Sequence, residues 1–72
     1  MAKKEKIVDE YRRNLHEIAV ARSEEILDEL LEKTQNLIMD NSELFNAQEY
    51  TDNLATLRIF YWKAKTKIQE GI

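Results

Sequence analysis

The sequence predicts an all-α fold, a two-helix antiparallel hairpin, and three observations predict it. Ala47, Tyr50, Leu54, Leu57, Tyr61, Ala64 and Ile68 alternate spacings of three and four, the seam of a helix built to lie against another helix. Proline is absent and glycine occurs once, at Gly71, while 43% hydrophobic and 35% charged residues make the mixture of long amphipathic helices, not of sheet or disorder. Finally, one polar cluster, Asp40-Asn41-Ser42-Glu43, separates two helical patterns and is rich in turn formers.

Helix 1 is expected over about 4–39, where neither proline nor glycine interrupts a run rich in Glu, Leu, Lys, Arg, Ile and Ala. Its start is poorly capped, because Lys3, Lys4 and Lys6 add positive charge to the positive end of the helix dipole. Val8, Tyr11, Leu15, Ile18 and Ala19 share one face, and Ile26, Leu27, Leu30, Leu31, Leu37 and Ile38 form a broader one. At about 100° per residue the second patch is rotated from the first by roughly a quarter-turn. Arg22 lies over the join, so the two halves are expected to touch different neighbours. Glu24, Glu25, Asp28, Glu29 and Glu32 form an acidic stripe, read as a solvated face.

The turn is placed at 40–46 and helix 2 at about 47–70. Asn46 and Glu49 have the spacing of a capping box, and Phe45 and Tyr50 that of a hydrophobic staple. Gly71 is read as a C′ residue able to take positive φ, and Lys63, Lys65 and Lys67 complement the negative end of the dipole. Helix 1 would be about 50 Å long and helix 2 about 35 Å. Folding one on the other would leave Val8, Tyr11 and Leu15 uncovered, to be completed by dimerisation or a partner.

The candidate partner-binding residues are therefore Val8, Tyr11 and Leu15 on helix 1, with Tyr50, Leu54, Leu57, Ile59, Phe60, Tyr61 and Trp62 on helix 2. Ile59 and Trp62, with Ala55 and Thr66, make a second row off the main seam, and large apolar residues there suit either a partner or the protein's own dimer.

Catalysis finds no foothold in the residue pattern. The single histidine, His16, has Ala19 and Val20 at the positions where a second metal ligand would stand, and no cysteine is present. Ser23 and Ser42 have no histidine at a suggestive spacing, and there is no glycine-rich phosphate loop. The expectation is a non-enzyme with no metal and no cofactor. A net charge of −3 argues against nucleic acid, and Lys63, Lys65 and Lys67 point in different directions round the helix. No apolar run is longer than that at 59–62, far short of the ~20 residues of a membrane span. Asp9, Glu10, Arg12 and Arg13 fall where a signal peptide would be apolar, so a cytoplasmic protein of one domain, 1–72, is expected.

The stretch 41–57, with Leu44, Gln48, Tyr50, Asn53 and Leu57 its most characteristic positions, resembles the YscE-type co-chaperones of type III secretion needle subunits. The resemblance implies a cytosolic helical hairpin that binds a helical-repeat chaperone and, with it, keeps an aggregation-prone needle subunit monomeric before export, a part of bacterial virulence. It assigns no individual contact residue. The function expected is a non-catalytic protein-binding module of this co-chaperone kind. The alternative is a homodimeric four-helix-bundle regulator that binds RNA or sequesters another regulatory protein.

Overall fold

The chain folds into three helices, α1 (Lys3–Ala19), α2 (Glu24–Asp40) and α3 (Ala47–Glu70), with a 3₁₀ turn at Ser42–Leu44. The structure is a computed structural model and describes residues 3–71, among which there is no strand. Side-chain bridges set the directions. Lys4 meets Glu49 and the Tyr11 hydroxyl meets the Asn53 carbonyl, so α1 and α3 run parallel. Tyr61 meets Asp28 and Gln69 meets Glu24, so α2 runs antiparallel to α3. Each helix packs on the other two, giving an up-down-up body of 42 × 22 × 14 Å.

The expected 36-residue first helix is instead two helices, broken over 20–23. Ser23 is the physical reason. Its backbone is extended (φ −133°, ψ 151°) and its hydroxyl accepts a hydrogen bond from the Ile26 N–H at 3.2 Å, capping α2. Glu24 and Glu25 follow in the first turn, where the helix dipole favours negative charge. The break lets each apolar patch reach the same interior although the two are rotated from one another. It also brings α1 back along α3, so Tyr11 and Leu15 are covered within the chain and no longer require a second molecule.

The core takes Tyr11, Leu15 and Ile18 from α1, Leu27 and Ile38 from α2, and Leu57 and Ala64 from α3. Two polar residues share this interior. Thr34 satisfies its hydroxyl on the Leu30 carbonyl one turn back, at 2.7 Å, whereas the Asn14 side-chain amide nitrogen has no hydrogen-bond partner among the described residues. Around the core lie half-buried Leu30, Leu31, Leu37, Phe45, Tyr50, Leu54, Phe60, Tyr61 and Ile68. No helix among the described residues is long and apolar enough to cross a membrane.

Both ends of α3 have local causes. At its start the Glu49 N–H donates to the Asn46 side-chain oxygen at 2.8 Å and the Asn46 N–H donates to the Glu49 carboxylate at 3.0 Å, a complete capping box. At its end Gly71 keeps φ −74°, so the expected left-handed C′ residue is not formed. Its N–H instead bonds the Lys67 carbonyl at 2.8 Å, extending the helical pattern by one residue.

Candidate protein-binding face

The capping box fixes where α3 begins, and the 3.6-residue repeat then decides which side chains it turns inward. Leu57 and Ala64 are buried, and Tyr50, Leu54, Phe60, Tyr61 and Ile68 pack against the same core. Opposite them, at spacings of four, three and four, run Ala55, Ile59, Trp62 and Thr66, all exposed. Ile59 is 54% and Trp62 59% exposed. This apolar pair lies on the side of the helix turned away from its own core.

Trp62 is nevertheless held in place. Its ring meets that of Tyr61 edge to face, with centroids 5.5 Å apart and planes at 79°. The Lys65 ammonium lies 5.3 Å from the Trp62 ring centroid and 5.6 Å from that of Tyr61. The Tyr61 hydroxyl donates to the Asp28 carboxylate of α2 at 2.7 Å. That hydrogen bond, followed by desolvation, pushes the Tyr61 hydroxyl above the ordinary tyrosine pKa. The resulting chain of contacts, Asp28 to Tyr61 to Lys65 to Trp62, forms one surface across α2 and α3. Charge divides along it. Every charged residue of α3 between Asp52 and Glu70 is basic, namely Arg58, Lys63, Lys65 and Lys67, while α2 exposes Glu24, Glu25, Asp28, Glu29 and Glu32.

The ten residues expected at a partner surface are divided by the fold. Ile59 and Trp62 face outward together. Tyr11, Leu15 and Leu57 are buried in the chain's own core, and Tyr50, Leu54, Phe60 and Tyr61 are half-buried against it. Val8 is half-buried beside Lys4, Glu5, Asp9 and Arg12 in a shallow depression at the start of α1. Sequence reasoning passed over the exposed Val20 and Met39, and it placed Ile26 in the broader apolar face of helix 1, whereas Ile26 is exposed. Val20 and Ile26 line an open depression at the α1–α2 corner with Glu17, Ala21, Arg22 and Leu30. The signal for that corner was Ser23, whose capping role ends the expected continuous helix and turns Val20 outward.

At the far end of α1, Lys4 bridges both carboxylate oxygens of Glu49 at 3.0 Å and lies 5.6 Å from the Phe45 ring centroid. The Asn46 backbone N–H and then the Lys4 ammonium hold the Glu49 carboxyl below the usual glutamate range. Burial pushes the Tyr11 hydroxyl up, and it donates to the Asn53 carbonyl at 2.7 Å. These groups tie helices together; none lines an enclosed cleft. Among the described residues no group of three or more His, Cys, Asp or Glu could hold a metal ion, and His16 is exposed. Comparison of the chain with protein-family models, with curated proteins and with solved structures gives no match.

Proposed function

We propose that this chain is a non-catalytic protein-binding module that acts in the cytoplasm through the outward side of α3. The observation that carries the reading is the exposed Ile59–Trp62 pair, set opposite the core face of a helix whose position is fixed by its cap. Tryptophan is a frequent anchor of protein interfaces, because a large rigid ring buries much area at little entropic cost. Held between Tyr61 and Lys65, Trp62 loses little freedom when a partner covers it. Association would add helices from a second molecule to the three of this chain and complete a larger bundle.

The resemblance of 41–57 to YscE-type co-chaperones supplies the partner class. The chain would bind a helical-repeat chaperone and, with it, stabilise a needle subunit before export. The test is sedimentation equilibrium of the purified chain with such a chaperone, for the parent and for Trp62→Ala. A hetero-complex weakened by more than ~1 kcal/mol in the variant is the expected result for an anchor residue. Equal capture by both chains would remove Trp62 from the interface, and no complex at all would sink the co-chaperone reading.

A further inference from the structure

We propose that a second copy of this chain covers the α2–α3 side, as a twofold dimer whose axis runs along the helices and sets α3 of each copy against α2 of the other. The proposal rests on the reading that the outward side of α3 is an association face, and it names what lies there in the free protein. Two helices side by side can meet their own copies in two closed ways. An axis across the helices would put α2 on α2 and α3 on α3. An axis along them puts α3 on α2, twice.

The charges choose between these arrangements. α2 exposes five carboxylates between Glu24 and Glu32, whereas the charges of α3 from residue 53 to 69 are all cations, of which Arg58 and Lys65, close to two full turns apart, flank Trp62 while Lys63 and Lys67 line a depression with Ala19 of α1. The first arrangement sets acid on acid and base on base; the second sets base on acid at both contacts. The heights agree as well. Tyr61 lies level with Asp28 and Gln69 with Glu24 within one chain, and an axis along the helices preserves height between copies. Lys65 therefore comes level with Glu24 and Asp28 of the second copy, and Arg58 with Glu32. Trp62 stands between these cations, and Met39, also exposed, shares the side of α2 that carries Asp28, because eleven residues are close to three full turns. Each contact thus sets Trp62 within a charged rim, with Met39 about 16 Å further along α2. Two helices along a 42 Å body also offer room for the roughly 800 Å² per partner of a stable complex.

The experiment uses two variants of the full chain, Arg58→Glu/Lys65→Glu and Glu25→Lys/Glu32→Lys, chosen to spare the Asp28 and Glu24 bridges. Sedimentation equilibrium from micromolar to millimolar concentration, with helicity checked by circular dichroism, reads the outcome. The parent is expected to dimerise, more weakly as salt rises. Each variant alone should dimerise at least about tenfold more weakly, since like charges then face one another. An equimolar mixture should restore a dimer, because the lysine-bearing α2 then meets the glutamate-bearing α3 at one contact and native basic α3 meets native acidic α2 at the other. A parent that stays monomeric, or a mixture no tighter than its components, would overturn the proposal. Should either variant lose helicity, disulfide formation decides. The chain has no native cysteine. An equimolar mixture of Glu32→Cys and Arg58→Cys chains should give the mixed covalent dimer, whereas Arg58→Cys alone cross-linking to itself would overturn the arrangement. A monomeric parent that still captures a helical-repeat chaperone would refute this dimer and leave the proposed function standing.

Discussion

Asn14 is the residue whose placement costs most for what it contributes. It is 3% exposed, yet its amide nitrogen has no hydrogen-bond partner among the described residues, and an unpaired buried donor costs about 1–3 kcal/mol. Asn14→Leu should therefore stabilise the chain by about 1 kcal/mol, which a thermal melt would show as a rise of roughly 4–8 °C in Tm. An unchanged or lower Tm would mean that the amide is satisfied in solution. Sequence reasoning passed over the position, although Tyr11, Asn14 and Ile18 follow at spacings of three and four; its lack of a partner depends on α2 and α3, which no local pattern contains. Asn46 is the opposite case, because its bonds lie within three residues and could be read in the chain. Asn46→Ala should cost about 1 kcal/mol, measured by urea denaturation.

At the scale of the elements, α3 was readable from its residues because its cap and seam are local, although the left-handed Gly71 expected at its end is not formed. The break between α1 and α2 was half visible. The quarter-turn rotation of the two apolar patches marked the join, but propensity alone allows a continuous helix through it, and the Ser23 cap together with packing against α3 decides for a restart. Ser23→Ala should cost about 1 kcal/mol. If the break were set by packing alone, the same substitution would leave the denaturation midpoint unchanged. The partner face divided for the same reason: Tyr11 and Leu15 looked uncovered only while helix 1 was a single rod.

For the whole molecule, stability is bounded on both sides by groups that tie helices together. The Glu49 carboxyl lies below its ordinary pKa, so its contribution is complete above the unfolded value and is lost as pH falls through the folded one. Destabilisation should begin below about pH 5, and Glu49→Gln should flatten that acid limb in denaturation midpoints measured against pH. Tyr11 and Tyr61 lie above theirs, so their contribution holds below the unfolded value and fades as pH rises past about 10. A Tyr11→Phe/Tyr61→Phe chain should lose less stability over that alkaline range than the parent does.

Trp62 is the sole tryptophan, and it stands in water while the chain is fully folded. Its fluorescence therefore reports unfolding chiefly through loss of the Tyr61 and Lys65 contacts, since the indole is already more than half exposed. It is sensitive also to anything that dries the outer side of α3. A blue shift on raising the concentration, or on adding a partner, would report coverage of that side with no label attached. The protein carries its own optical gauge of whether it is alone.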